Sequence, residues 1–292
     1  MLNYSLLYLE QLTESDLVLI SSAVGEAKER IRSELGSDPA ALDHWLGSSE
    51  LFDSIFDPHS GDLGPFPSPF LLFGVMVGRA AMELSSTVQI SEWSGPGRRI
   101  PVFDASNLSD FLQSGFRRFF LVEVLASFTK VASGSFWVRT DRGYRRRRFS
   151  ELDPVQMLGM VEQLPDAQRA AGYRRLGDVA LFLSGVFPDH TSRHPYRPME
   201  RDRLARSASI PPGSALIDDA VTFLELAGSG WYRRSEAAAE RYAGARWGFL
   251  GDMAEHFRQA RRVLNYLADE YLFRRETGLM RPAWWKGIVC LR

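Results

Sequence analysis

Apolar residues in this chain gather into three long segments rather than spreading evenly along it. Leu176 to Pro188 holds one carboxylate, Asp178, and is approached through Arg174-Arg175. Phe70 to Leu84 carries Arg79 and Glu83, and Phe116 to Val131 carries Glu123. Segments that are apolar on nearly all sides belong in the middle of a core, where an unpaired charge is very costly. The pattern predicts a helical core with a few carboxylates and arginines set inside it.

Periodicity places further helices around that core. Thr13-Glu14-Ser15-Asp16 starts one, with Leu17, Ile20, Val24, Ala27 and Ile31 following at helical spacing and Gly36 as the stop. Short helical pieces over Pro39 to Trp45 and Ser49 to Phe56 lead into the Gly/Pro-rich loop Gly61 to Pro69. A short helix capped by Asn107 or Ser109 runs to Leu112, and Gly115 breaks it before the next buried helix. Asp153 to Glu162 and Pro165 to Phe187 read as helical. Pro188 to Pro212, rich in Pro, Arg and Ser, reads as a long loop with one helical turn near Met199 to Arg206. Asp252 and Glu255 form a capping-box pattern, and Met253, Phe257, Ala260, Leu264, Leu267 and Tyr271 continue behind it as far as Gly278.

Two segments alternate like strands instead. Thr87 to Trp93 and Ile100 to Phe103 flank Ser94-Gly95-Pro96-Gly97. Ser135 to Thr140 and Tyr144 to Phe149 flank Asp141-Arg142-Gly143, where Gly143 is free to take positive φ. The expected fold is mainly α, a multi-helix bundle-like core with one or two small β-hairpins. It is read as one compact domain over 1–292, divisible into 1–60, 66–190 and 213–292.

Composition narrows the function classes. With 292 residues, 45% hydrophobic and 24% charged, the chain is long enough to bury a sizeable core. A formal net charge of −1 excludes a global polyanion binder, so any nucleic-acid contact must be local. Lysine occurs only at Lys28, Lys130 and Lys286, and the other basic residues are arginine. That bias follows from a GC-rich bacterial genome or from selection for bidentate contacts to carboxylate and phosphate, and only clustering separates the two. The single cysteine, Cys290, excludes an intrachain disulfide framework. Met1 to Glu10 lacks a positively charged leader, and the longest apolar run falls well short of the ~18–20 residues a membrane span requires. A cytoplasmic protein with no membrane partner is expected.

Catalytic patterns are missing from the sequence. Glu83, Glu123 and Asp178 raise the possibility of a carboxylate-bridged metal bundle, but no Glu-x-x-His accompanies them. Arg79 with Glu83 and Arg174 with Asp178 are each one helical turn apart and can neutralise one another. Asp189, His190 and His194 have ligand-like spacing, yet prolines on both sides disfavour a helix there. No Gly-x-Ser-x-Gly elbow occurs, and Gly95-Pro96-Gly97-Arg98-Arg99 lacks the Gly-Lys-Ser/Thr ending of a P-loop. No catalytic, cofactor-binding or metal-binding residue is assigned.

The second hairpin is more informative. Arg145, Arg146, Arg147 and Arg148 follow Arg139 and Arg142, with Trp137 on the opposing strand. Alternation sends Arg145 and Arg147 to one face and Arg146 and Arg148 to the other, so one pair at least faces solvent. Such a surface can contact phosphates or an acidic partner, with aromatic stacking beside it; charge that protects a sheet edge is the competing reading. The order helix, helix, hairpin resembles a winged helix. However, Phe116 to Val131 is too apolar to lie in a DNA groove, although Arg117 and Arg118 at its start could join the hairpin. Trp284-Trp285 near the C-terminus are candidate partner contacts.

Arg174 to Asp178 and Leu181 to His190 resemble a family of uncharacterised, mainly helical bacterial proteins with relatives in actinobacteria, the likeness running from about Phe70 to Tyr271. That resemblance implies a GC-rich bacterial origin and carries no activity. The expected function is a non-catalytic interaction protein: an adaptor, a scaffold or a subunit of a larger assembly, with a protein partner or a second copy of itself. Nucleic-acid binding through the hairpin over 135–149 is the first alternative, and an enzyme of unrecognised class is the second.

Overall fold

The computed structural model describes residues 4–56, 66–141, 143–211, 219–243 and 248–273. The fold is mainly α with two small two-stranded sheets. Its contacts gather into two units. No described helix is long and apolar enough to cross a membrane.

The first unit draws on the described residues within Met1–Glu92, Ile100–Thr129 and Tyr266–Cys290. It contains α1 (Tyr4–Gln11), α2 (Glu14–Val24), α3 (Lys28–Ser37), α4 (Pro39–Gly47), α5 (Ser49–Phe56), α6 (Pro69–Ser86), α7 (Ala105–Leu112) and α8 (Gly115–Ser127). At its centre α6 packs on α4, α7 and α8, with Leu71, Phe73, Val75 and Val77 fully buried. One buried carboxylate organises two helix starts. Asp16 closes the capping box with Thr13, and its Oδ1 accepts the Ser68 amide at 2.7 Å, immediately before α6. Ser68 in turn caps α6 through the Leu71 amide, with Pro69 in the first turn. The strands β1 (Ile90–Gly95) and β2 (Arg98–Val102) make the first hairpin, whose tip, Trp93–Arg99, belongs to the second unit.

The rest of the second unit lies within Lys130–Asn265. It contains β3 (Ser133–Thr140), β4 (Gly143–Ser150), α9 (Pro154–Val161), α10 (Arg169–Val186), α11 (Pro188–Arg193), α12 (Pro198–Ser207), α13 (Ala220–Ala243) and α14 (Phe249–Glu255). It also takes α15 (Phe257–Leu267) as far as Asn265. Helices α10 and α13 form the central pair. They approach closely because α10 offers a glycine where α13 brings a ring: a Cβ on Gly177 would lie 2.3 Å from Cε1 of Tyr232.

Three expectations are corrected. The helix read as running from Thr13 to Gly36 is two helices, because Gly25 takes φ +71 and ends α2. The segment read as a loop over Pro188 to Pro212 contains α11, and its one expected turn near Met199 to Arg206 is the full helix α12; Pro188 and Pro198 each occupy a first-turn position where proline starts a helix. Asp252 lies inside α14 rather than at a cap. Its carbonyl accepts the His256 amide at 3.0 Å, where the chain turns into α15. Gly278 is outside the described residues.

Close helix approach yields a contrast that can be measured. A Cβ at Gly78 would sit 2.7 Å from the backbone carbonyl carbon and oxygen of Leu46, which cannot move aside as a side chain could. Gly78→Ala is therefore expected to destabilise by about 1–3 kcal/mol in a denaturant titration, despite gaining ~1 kcal/mol in helix propensity. At Gly36 the nearest atom is the Leu6 Cδ2 at 3.8 Å, so Gly36→Ala should be neutral or stabilising.

Candidate functional site

The second hairpin pairs β3 and β4 antiparallel, with Trp137 opposite Arg146, Val138 opposite Arg145 and Arg139 opposite Tyr144. A two-residue connection is closed by Gly143 at φ +111, a conformation that favours glycine. Alternation puts Ser135, Trp137, Tyr144, Arg146 and Arg148 on one face. A hydrogen bond from Nε of Arg146 to Oγ of Ser135, 2.7 Å, lies along that face. Trp137 is 66% exposed and Tyr144 is 72% exposed, and Arg145, Arg146 and Arg148 are also exposed. Arg139 and Arg147 are placed by strand register alone, and Arg142 lies outside the described residues.

Charge sets this hairpin apart. Between Ser133 and Ser150 six arginines face one aspartate, a net +5 on a chain whose total is −1. Among the described residues no carboxylate lies within ion-pair reach of Arg145, Arg146 or Arg148. Several arginines elsewhere are paired: Arg79, Arg99, Arg118, Arg175, Arg203 and Arg261 each meet a carboxylate.

A polar chain ties the hairpin base to the core. The Glu151 amide donates to the carbonyl of Ala132, and the Ala132 amide donates to Oε2 of Glu151 at 2.8 Å. Oε1 of Glu151 accepts Nε of Arg175 at 2.7 Å, and Nη1 of Arg175 stands 4.0 Å from Oδ2 of buried Asp178. Tyr232 completes the chain by donating to Oδ1 of Asp178 at 2.9 Å. The sequence pattern brought out neither Glu151 nor Tyr232. They lie 24 and 54 residues from their partners, so no local spacing marks them.

The other polar groups are occupied within the fold. In the first hairpin the Gly97 amide (2.7 Å), the Trp93 indole N–H (2.9 Å) and the Arg99 guanidinium (3.5 Å) converge on Asp189. Burial opposes ionisation of Asp189, but those donors outweigh it and hold its carboxyl below the usual range. The amide a phosphate cradle would offer is thus taken internally. His190 and His194 stack at 4.3 Å, and burial, reinforced by His194 and Arg193, lowers the His190 pKa. No group of three or more His, Cys, Asp or Glu comes together as a metal set among the described residues.

In the first unit, Glu83 accepts Arg79 at 2.8 Å, Tyr271 at 2.6 Å and Tyr266 at 3.1 Å. Burial and that carboxylate push both phenols above their ordinary range. Glu83 and Glu123 are half-buried, so of the three core carboxylates only Asp178 is buried. Arg118 pairs with Asp43 at 2.5 Å and donates to the carbonyls of Leu112 and Gln113. Arg117 lies over the ring of Phe111. Near Arg118 a cleft of about 300 Å³ is lined by Tyr8, Asp43, Leu46, Gly78, Met82 and Gln113, among others. Burial, with Asp43 adding to it, pushes the Tyr4 phenol up to about 12. Trp284 and Trp285 lie outside the described residues.

Protein-family models, curated proteins and solved structures give no match to this chain.

Two stability outcomes follow. Asp178→Ala strands the Tyr232 hydroxyl and removes a charge facing Arg175, and should cost about 3 kcal/mol or more in chemical denaturation, against about 1–2 kcal/mol for Tyr232→Phe. Asp189 ionises more readily folded than unfolded. Its contribution is fully present above the ordinary carboxyl pKa of 3.8 and disappears as pH falls through the lower folded value. Acid titration of wild type against Asp189→Asn should show a stability gap above about pH 4 that closes below it.

Proposed function

We propose that this is a non-catalytic interaction protein whose partner docks on the β3–β4 hairpin. One observation carries the reading: Trp137 and Tyr144 stand exposed on the same face as Arg146 and Arg148, which meet no carboxylate among the described residues. Edge protection calls for charge alone, and two exposed aromatic rings on that face would work against it. Exposed tryptophan, tyrosine and arginine are also the residue types that dominate binding energy at interfaces. The remaining polar clusters favour the same reading, since Asp178, Asp189, Glu83 and Arg118 are engaged in holding helices and turns together.

The test is affinity purification of the full chain from the cells that make it, beside a Trp137→Ala, Arg146→Glu, Arg148→Glu variant with an unchanged thermal melt. Wild type should co-purify a partner at fixed stoichiometry, and the variant should lose it. Equal recovery by both proteins would remove the hairpin from the reading.

A further inference from the structure

We infer that the partner on the Trp137–Arg146 face is a single-stranded nucleic acid. The inference rests on the hairpin being the docking element and names what docks. The face presents two kinds of unmet demand side by side. Arg146 and Arg148 are exposed cations without a described carboxylate, in a segment of net +5, and a phosphodiester backbone supplies regularly spaced negative charge.

The rings supply the second demand. Trp137 stands opposite Arg146, and Tyr144 is two residues from Arg146 on the same strand face, which makes the two rings diagonal neighbours. Such neighbours are about 7–8 Å apart, on the scale of consecutive nucleotides in an extended strand. Every base has a π face, so stacking on such rings is tolerant of sequence and compatible with a chain that has one short basic element. An acidic protein would neutralise the guanidinium groups but offers nothing specific to the ring faces. In a duplex the bases are already stacked on one another, so the rings would find no partner without unpairing.

The experiment is fluorescence anisotropy of the full chain with labelled mixed-sequence oligonucleotides of about 15 nucleotides: single-stranded DNA, single-stranded RNA and the matching duplex. Single strands should bind more tightly than the duplex. The log–log salt slope should be about −2 to −3, as three or four phosphate contacts require. Trp137→Ala should weaken binding about tenfold and leave that slope unchanged, whereas Arg146→Glu with Arg148→Glu should weaken it at least tenfold and flatten the slope. Comparing the DNA and RNA arms decides which strand is preferred.

No binding at low salt, or equal affinity for duplex with no effect of Trp137→Ala, overturns the inference. If oligonucleotides fail while a nuclease-resistant protein partner is lost from the hairpin variant, the docking role stands and the ligand assignment falls. Should the variant lose neither, both fall.

Discussion

Asp178 is the charge that the second unit is built to accommodate. It lies 6% exposed on α10, between Gly177 and Val179 in a stretch that is otherwise almost entirely apolar. An isolated carboxylate there would be strongly unfavourable, and its protonated form would still require a hydrogen-bond partner. Tyr232 meets that need because the preceding residue is glycine. The ring of Tyr232 lies where a Gly177 Cβ would be, and its hydroxyl reaches the Asp178 carboxylate. Close packing of α10 on α13 and satisfaction of the buried charge are therefore one arrangement, since the same ring fills the space at Gly177 and carries the hydroxyl that meets Asp178.

The same carboxylate helps to position the hairpin. Arg175 stands between Asp178 and Glu151, so one guanidinium is shared by a core helix and the residue following β4. A two-stranded hairpin is marginal by itself in water. Here its base is held by the Glu151 and Ala132 backbone and side-chain bonds, while its tip and aromatic face remain exposed. A hydrogen-bonded base under an exposed face would lower the ordering entropy that the proposed docking partner has to offset.

Much of the fold could be read from local pattern because its causes are local. Thr13 and Asp16 cap α2, and Gly143 turns the second hairpin, each acting within a few residues. The misreadings were of punctuation. Apolar spacing continues across Gly25, so Leu17 to Ile31 read as one helix although its backbone turns there. The proline-rich composition of Pro188 to Pro212 reads as loop, yet Pro188 and Pro198 each sit in the first turn of a helix, where the missing amide costs nothing. The basic face of the hairpin was legible from alternation. Its lack of a carboxylate partner among the described residues was not, since that depends on where distant acidic residues end up. Distant pairs such as Tyr232 with Asp178, or Asp189 with the Gly97 amide, have no sequence signal at all.

The two hairpins make the strongest comparison within the molecule. Both combine a tryptophan on the first strand with arginines around a glycine turn. In the first, Asp189 arrives from α11 and takes the Trp93 indole, the Gly97 amide and the Arg99 guanidinium together. These three donors are satisfied by a carboxylate of the same chain, and that turn is held by internal bonds. In the second, no carboxylate answers Arg145, Arg146 or Arg148 among the described residues, and Trp137 has solvent where Trp93 has Asp189. Composition alone would rank the two hairpins alike. The difference among the described residues is a single acidic residue delivered by the fold, and it is this difference that supports the proposal of an external anion on the second hairpin.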